Sequence, residues 1–427
     1  MNIELWKTVD VGRNGGESLY FHDVDGDGEK ELIFRQSAGL MAQEEYRIND
    51  NLDDENFDLL CYTCFRQDGT MLWQEGKTWT QDRPYRNHGE INLTAIADIN
   101  NDGKIELLYK YHDRLFLRDI SDGGLIRSAK LPNDDGWKVV LQKIGENEYN
   151  IIILGAHQML SYTSDFEPLW TKYGDEEYSA FSFADVDGDG KEELFVADSM
   201  YDHDGTLIWK WDHIRHVDFV RAFDVNGDGK YEVIFCVCHG DFAIFDMDGK
   251  ELLRDESFIH PQGFNIGKFV PEIAGYQIFV TNKASLGGSV MLDCDGNRLW
   301  EYPCNGYCMT LPNNDGEADM ILHRPSPGRM SDELQAEYLE RAKELDYDDL
   351  PIEAGKPSDP ILLSGSGEIL YRFPQLDEPI TPNDEMKKAL PGDYGLVYSS
   401  MIDDVDSDGQ IEWIAYKRHK VWIFKRD

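Results

Sequence analysis

A strand-turn-strand-strand unit recurs eight times along this chain of 427 residues, and the repeat constrains the fold more than any other feature. Self-similarity at such a fixed period is the signature of a repeat architecture or propeller. We label the strands of each unit a, b, c and d in chain order. Strand c ends in a turn, usually Asp-Gly, and strand d tends to Leu-Trp. The c–d pieces are Asp68-Gly69 with Leu72-Trp73, Asp122-Gly123 with Leu125, Asp165 with Leu169-Trp170, Asp204-Gly205 with Ile208-Trp209, Asp248-Gly249 with Leu252, Asp295-Gly296 with Leu299-Trp300, and Ser366-Gly367 with Leu370-Tyr371.

The two ends of the chain carry complementary fragments of this unit. Leu5-Trp6 is a d strand that stands alone at the N-terminus, and the last strand, at 421–424, has no d strand after it. Pairing the two fragments closes a ring and covers strand edges that would otherwise invite aggregation. An open β-solenoid would not leave such fragments. The sequence therefore predicts an all-β fold, an eight-bladed β-propeller forming a single domain over residues 1–427.

Five units carry an acidic loop between strands a and b, with the pattern Asp-x-Asp/Asn-x-Asp-Gly-x-x-Glu. Oxygen ligands at positions 1, 3, 5 and 9, with glycine at position 6, suit the oxygen cage of calcium. Short β-prone runs follow the loops, where an EF-hand would have a helix. We therefore predict five structural calcium sites on one face, the bottom face. Their ligands are Asp23, Asp25, Asp27 and Glu31; Asp98, Asn100, Asp102 and Glu106; Asp185, Asp187, Asp189 and Glu193; Asp224, Asn226, Asp228 and Glu232; and Asp404, Asp406, Asp408 and Glu412.

The equivalent loops of the other three units have lost the pattern, at 145–148, 271–274 and 313–319. The strands around them keep their apolar alternation, which is what specifies a strand with one buried face. We therefore expect the blade to form in all three units without a metal ion.

The charge balance limits the partners of the chain. With 82 acidic and 41 basic residues, the formal net charge is −41. Nucleic acid and anionic membranes are recognised by basic surfaces, so we expect neither as a partner. Calcium in the five loops would offset part of the charge, and the remainder is typical of a solvated outer face.

The compartment is predicted from the N-terminus and the cysteines. Met1 leads almost directly into the closing strand, without the basic and apolar regions of a signal peptide. The seven cysteines are an odd number. Neither Cys61 with Cys64 nor Cys236 with Cys238 resembles a zinc site. We expect a cytoplasmic monomer, although calcium is scarce in the cytoplasm and a secreted chain whose signal was removed stays open.

The remaining unusual residues fall on the opposite face, the top face, where the d–a and b–c connections emerge. Four long insertions lie there, at 36–56, 75–92, 323–360 and 374–396. Loops that converge on a rigid scaffold are where function usually lies. Ser331–Leu345 is predicted to be an amphipathic helix, either a lid or a solvated excursion. Nine of the eleven histidines follow b strands or precede a strands, among them His323, and aromatic residues such as Phe264 join them.

Within this set, His88 and His112 are the best candidate catalytic pair because they bracket the a and b strands of one blade. His157, in the b–c turn of the next blade, is a further catalytic candidate, and Arg215 is predicted to contact a substrate carboxylate. A single histidine in a turn is more often a plain polar loop residue, but nine on one face favour a function. The candidate substrate-binding residues are Tyr85, Arg86, His213, His216, His239, His260, Tyr307, Arg324 and Arg418.

These residue types suit a β-elimination at a uronate. Arginine binds the carboxylate with two hydrogen bonds, and histidine removes the C5 proton because its pKa lies near the working pH. Tyrosine or a second histidine protonates the leaving O4. A glycoside hydrolase would instead need paired carboxylates, for which Asp82, Glu90 and Asp113 are available.

The acidic loops and the blade number resemble the calcium-binding propellers of the FG-GAP/integrin-α type over essentially the whole chain. Among enzymes the chain resembles propeller-fold polysaccharide lyases, namely rhamnogalacturonan, ulvan and rhamnose-glucuronate lyases. In ulvan-type lyases two top-face histidines, a tyrosine and an arginine perform the elimination, and His88 with His112 lie in similar places. The resemblance implies a lyase acting on an acidic, rhamnose- and uronate-containing oligo- or polysaccharide. The alternatives are a non-catalytic glycan- or protein-binding propeller and a glycoside hydrolase.

Overall fold

The computed structural model describes residues 3–12, 14–16, 18–37, 60–78, 94–174, 180–211, 216–238, 240–258, 260–282, 288–302, 306–313, 318–325, 360–374, 376, 399–416 and 419–426. These ranges form 32 β-strands and contain no helix. Accordingly, none of the described residues belongs to a helix suited to crossing a membrane. Most of each long insertion, and all of the predicted helix at 331–345, lie outside the described ranges.

The strands form eight four-stranded antiparallel sheets, which are the blades of a β-propeller. Blades 1 to 4 are β2 (Ser18–His22), β3 (Glu31–Ser37), β4 (Leu60–Phe65) and β5 (Met71–Gly76); β6 (Thr94–Ala97), β7 (Glu106–Tyr111), β8 (Arg114–Asp119) and β9 (Leu125–Lys130); β10 (Lys138–Gly145), β11 (Glu148–Leu154), β12 (Gln158–Tyr162) and β13 (Pro168–Tyr173); and β14 (Phe181–Ala184), β15 (Glu193–Val196), β16 (Ser199–Tyr201) and β17 (Leu207–Lys210).

The second half of the ring repeats the same meander. Blades 5 to 8 are β18 (Val217–Phe223), β19 (Glu232–Val237), β20 (Asp241–Asp246) and β21 (Glu251–Asp255); β22 (Pro261–Gly267), β23 (Gln277–Asn282), β24 (Ser289–Leu292) and β25 (Arg298–Tyr302); β26 (Gly306–Leu311), β27 (Met320–Pro325), β28 (Ile361–Leu363) and β29 (Ile369–Arg372); and β30 (Ser399–Asp403), β31 (Glu412–Tyr416), β32 (Lys420–Arg426) and β1 (Ile3–Asp10).

The two chain ends close the ring as the sequence predicts. β1 is the outermost strand of blade 8 and pairs antiparallel with β32, from Ile3 opposite Arg426 to Asp10 opposite Lys420. The first strands of neighbouring blades contact each other, as β14 contacts β18 and β18 contacts β22. They are therefore the innermost strands. The prediction of an eight-bladed propeller is confirmed.

The core lies between the blades. In β3, Leu32 and Phe34 pack against blade 8, whereas Ile33 between them packs against blade 2. This alternation follows from the two-residue period of a strand whose two faces are both covered. Every residue of β19 is buried in the same way. The continuous apolar second strands of the repeat thus supply most of the contact between blades.

The Leu-Trp repeat is an inter-blade contact. Trp73 Nε1 of blade 1 donates a hydrogen bond of 2.9 Å to the carbonyl of Ile120, in the c–d turn of blade 2. Gly123 in that turn has φ of +73°, and a Cβ there would lie 3.0 Å from the Trp73 ring. Trp300 makes the same contact with Gly365 in blade 7, at 2.7 Å. Asp-Gly turns and d-strand tryptophans therefore recur together because each tryptophan rests on the next blade's turn.

Candidate functional sites on the two faces

The five acidic loops share one backbone conformation. The sixth residue is in the left-handed region in each, with φ between +85° and +92°, which glycine adopts without strain. Its N–H donates to the carboxylate of the first aspartate in every loop. The five hydrogen bonds are Gly28 to Asp23 at 3.0 Å, Gly103 to Asp98 at 3.0 Å, Gly190 to Asp185 at 3.0 Å, Gly229 to Asp224 at 2.9 Å and Gly409 to Asp404 at 3.0 Å.

The ninth-position glutamate of each loop is buried and accepts a hydrogen bond from the second residue, as Glu193 does from Val186 N at 2.8 Å. Burial, with nearby carboxylates adding to it, raises the pKa of Glu193 to about 6 and that of Glu412 to about 7. Clustered carboxylate oxygens are the donors that suit a hard divalent cation, which binds them in their ionised form. In four loops, three carboxylates offer oxygens within 4.8 Å of one another: Asp23, Asp25 and Asp27; Asp98, Asp102 and Glu106; Asp185, Asp187 and Glu193; and Asp404, Asp406 and Glu412.

The fifth acidic loop, in blade 5, folds in the same way but differs in one contact. Asn226 Nδ2 donates a hydrogen bond of 2.8 Å to Glu232 Oε1. An amide thus donates to one carboxylate oxygen of the glutamate in this loop. The side-chain oxygens of the loop are still of the type that binds calcium.

In two of the three loops without the pattern, the side chain at the ninth position still accepts a main-chain hydrogen bond. In blade 6, Gln277 Oε1 replaces the glutamate and accepts from Val270 N at 2.7 Å. In blade 7, Asp319 accepts from Asn313 N and from Lys268 N of blade 6. Blade 3 closes with a hairpin in which Gly145 pairs with Glu148. The blade forms in all three units, as the sequence predicts.

On the top face, the connection between blades 2 and 3 gathers two of the predicted catalytic candidates. Lys110 is buried, and its Nζ contacts Asp134 Oδ1 at 2.8 Å. The second oxygen of Asp134 lies 3.5 Å from His112 Nδ1, and the His112 side chain is 45% exposed. On the other side, Asp135 Oδ2 accepts a hydrogen bond of 3.0 Å from His157 N. His112 and His157 therefore contact adjacent residues of the linker between blades 2 and 3, Asp134 and Asp135.

A second cluster lies where blade 5 meets blade 6. His260 is fully buried, and its Nε2 is 3.1 Å from Asp218 Oδ2. Gln262 Nε2 donates to the other Asp218 oxygen at 3.0 Å. That same oxygen is 3.8 Å from Nε2 of His216, a partly exposed residue. Asp218 therefore holds together two residues predicted from the sequence to bind substrate, and His260 lies behind His216 rather than on the surface.

Sequence reasoning missed Asp218, although a signal for it exists. Residues two apart on a strand share a face, so the sequence spacing of His216 and Asp218 places both on the same face.

His323 and Phe264 were expected in top-face loops, and this is wrong for both. His323 lies within β27, fully buried between Phe279 and Tyr302, and Phe264 is buried within β22.

Tyr307 and Arg324 are backbone register partners in β26 and β27. His88, Tyr85, Arg86, His213, Arg215, His239 and Arg418 lie outside the described residues. Of the predicted His88–His112 pair, only His112 lies among the described residues.

One position of the repeat breaks the symmetry of the ring. It is the fourth residue of the buried run of the second strand, as Arg35 is after Leu32, Ile33 and Phe34. Arg35 is 1% exposed and lies near Tyr62, whose hydroxyl bonds Thr94 Oγ1 at 2.6 Å. Around the ring from blade 1 to blade 8 the position holds Arg35, Lys110, Leu154, Ala197, Cys236, Thr281, Arg324 and Tyr416.

The basic members of this series thus belong to blades 7, 1 and 2, with only blade 8 between them. Blades 3 to 6 have apolar or uncharged residues there. The four long insertions of the sequence are attached to blades 7, 8, 1 and 2 as well. Burying a charge is costly unless it is paired, so the buried Arg35 and Lys110 of this elaborated sector indicate a role beyond packing.

Comparison with known proteins places the fold among known propellers. No protein-family model matches the chain. Over 310 residues it is 24% identical to rhamnogalacturonan endolyase YesW of Bacillus subtilis (strain 168), an alignment that covers 65% of this chain and 46% of the relative. The chain therefore spans about half the length of this curated relative.

Solved structures share the fold over nearly the whole chain. Exotype rhamnogalacturonan lyase YesX has a TM-score of 0.63 at 14% identity, covering 97% of this chain and 75% of its own. Bacillus licheniformis rhamnogalacturonan lyase PL11 has a TM-score of 0.57 at 13% identity, covering 98% and 75%. The V. cholerae biofilm matrix protein Bap1 has a TM-score of 0.58 at 13% identity, covering 99% and 88%. At these identities the likeness shows a shared fold, and the chemistry has to be argued from the residues of the site.

Proposed function

We propose that the chain is the catalytic propeller of a polysaccharide lyase that cleaves an acidic, rhamnose- and uronate-containing glycan of the rhamnogalacturonan type by β-elimination. The observation that carries this proposal is the relationship over 310 residues to a rhamnogalacturonan endolyase. The fold likeness to two further rhamnogalacturonan lyases over at least 97% of this chain supports it.

The chemistry assigns three tasks to top-face residues. A base takes the proton from C5 of the uronate, the electron pair forms the C4–C5 double bond, and the C4–O4 bond breaks with a proton delivered to O4. His112 suits proton transfer because its side chain is 45% exposed and Asp134 Oδ2, which lies 3.5 Å from its Nδ1, can orient the ring. His216 beside Asp218 is the alternative, with the carboxylate orienting the imidazole.

The third task is to neutralise the substrate carboxylate, for which the basic sector of blades 7, 8, 1 and 2 is suited. A guanidinium forms two hydrogen bonds with a carboxylate and stays charged at every working pH. Arg324 belongs to this sector, whereas Arg35, at the equivalent position of blade 1, is buried and can act on the substrate only through its charge. We assign glycan binding to the top of these four blades.

Calcium belongs to the same proposal as a structural ion of the bottom face. The acidic loops lie between the first and second strands, at the opposite end of those strands from His112 and His216. The ion would neutralise crowded carboxylates that include a buried glutamate. No step of the elimination is assigned to it.

A second candidate is a non-catalytic binding propeller, which the fold likeness to the matrix protein Bap1 favours. It predicts binding without turnover. The top face argues against a lectin with repeated sites, because its basic residues occupy only blades 7, 1 and 2 of the repeated position.

The deciding experiment is incubation with rhamnogalacturonan, ulvan and rhamnose-glucuronate glycans, as polymers and as oligomers. A lyase releases unsaturated uronate, measured by its ultraviolet absorbance, and the active glycan names the substrate. New reducing ends without that absorbance would establish a hydrolase. Absence of any product from the whole panel, with binding retained, would establish the non-catalytic propeller.

A further inference from the structure

One of the five acidic loops already contains a cation that belongs to the chain. In blade 8, Lys425 Nζ contacts Asp406 Oδ2, lies 3.0 Å from Asp408 Oδ2 and is 3.7 Å from Glu412 Oε1. The Lys425 side chain is 20% exposed and that of Glu412 only 2%. The ammonium therefore lies among three of the four residues that the pattern assigns to calcium.

The N-terminal strand covers this ammonium. The Trp6 ring of β1 is centred 4.5 Å from Lys425 Nζ, a cation–π distance. Lys425 itself is opposite Glu4 in the β1–β32 register. The environment of the ammonium is therefore built from both ends of the chain, at the seam that closes the ring.

The repeat explains why this position is free to hold a lysine in blade 8. The equivalent residue, three before the glycine of the c–d turn, is an aspartate in blades 4, 5 and 6. It caps the turn there, as Asp246 Oδ1 does by accepting from Lys250 N at 2.9 Å. Blade 8 has no c–d turn, because its fourth strand comes from the N-terminus. The residue at this position of blade 8 is therefore not needed to cap a turn.

Blade 1 supplies a natural comparison. Its equivalent residue is Arg66, whose Nη2 lies 2.7 Å from Asp25 Oδ2. Arg66 is about half exposed and its only ion pair among the described residues is with Asp25. Such a surface pair contributes little and can swing into solvent. Lys425 differs because it meets three carboxylates under an aromatic ring.

We propose that the blade 8 loop is neutralised by Lys425 instead of calcium, so that the ring seam is closed without a metal ion. A calcium ion entering this loop would have to displace the ammonium or bind the same carboxylates beside it. Two cations held by the same carboxylates repel each other. The inference rests on the proposed calcium sites only for its comparison with the other loops. It gives the seam a cation that chelators cannot remove.

The test counts the calcium ions bound to the full chain by native mass spectrometry. Asp187→Ala in the blade 4 loop should lower the count by one, whereas Asp406→Ala, at the same loop position in blade 8, should leave it unchanged. Lys425→Met should raise the count by one, and Arg66→Met, the matched control, should not. A count that falls in Asp406→Ala, or a folded Lys425→Met protein that gains no ion, would overturn the inference.

The outcomes separate this inference from the proposed calcium sites. If the wild-type chain binds no calcium and Lys425→Met binds one, the sites proposed in the other loops fail and the role of Lys425 stands. If Lys425→Met does not fold, the Asp406→Ala arm decides alone. As a second readout, the melting temperature of Lys425→Met should become sensitive to chelator beyond the wild-type response, and calcium should restore it.

Discussion

The two faces of this propeller are built from the same eight units, yet one repeats and the other does not. On the bottom face, five loops form the same hydrogen bond from a glycine N–H to the first aspartate. On the top face, the linker with Asp134 and Asp135 and the cluster around Asp218 have no counterparts among the residues of the neighbouring blades that the structure describes. Repetition here serves stability, and departure from the repeat marks the candidate site. The following experiments break or sharpen this contrast.

The largest effect is expected at the top face. His88→Ala and His112→Ala should each lower turnover by about two to four orders of magnitude, the range for general acid–base catalysis. The melting temperature should barely change for His112→Ala because that side chain is exposed. His22→Gln, at the bottom end of β2, serves as the control. Near-wild-type turnover in both variants would move the active site to His216 and Asp218.

The bottom face should respond in stability and not in chemistry. Asp187→Ala removes a carboxylate from the blade 4 cluster and, by loss of one ion, should lower the free energy of unfolding by about 2.7 kcal/mol when calcium is at 100 times its dissociation constant. As a control, Gln277→Ala changes the equivalent loop of blade 6, which lacks the acidic pattern, and should not alter the stabilisation by calcium. Calorimetry with and without chelator measures both. A melt of the wild-type chain indifferent to chelator would refute structural calcium.

The symmetry-breaking position gives an intermediate effect on binding. Because Arg35 is buried, it can act on a substrate carboxylate only through its charge, and Arg35→Met should weaken binding of an acidic oligosaccharide by up to about 10-fold, since about 1.4 kcal/mol of lost attraction corresponds to a factor of ten. Binding of the same oligosaccharide with its carboxyl groups reduced should not change. Cys236→Ala is the control at the same position in blade 5. Equal losses for both ligands would assign Arg35 to packing.

The sequence predicts this fold well because a propeller is specified locally and many times over. Strand pattern, Asp-Gly turn and Leu-Trp strand recur, and Leu5-Trp6 with the last strand reveals the closure. The site is less predictable because it is defined by departures from the repeat. His323 follows the apolar pattern of β27 and is buried, which a reading of histidine as a loop residue misses. Asp218 and Lys425 acquire their meaning only from neighbours in other blades or at the other end of the chain.

The smallest effect tests whether repeated residues contribute equally. Trp73 and Trp209 occupy the same strand position, but Trp73 Nε1 donates to Ile120 O at 2.9 Å, whereas the buried Trp209 Nε1 has no hydrogen-bond partner among the described residues. Changing each to phenylalanine removes similar packing, so the difference between the variants isolates the hydrogen bond. Trp73→Phe should cost about 0.5–1.5 kcal/mol more than Trp209→Phe in denaturant unfolding. Equal costs would show that packing on the next blade's turn, which both rings share, carries the whole contribution of the repeat.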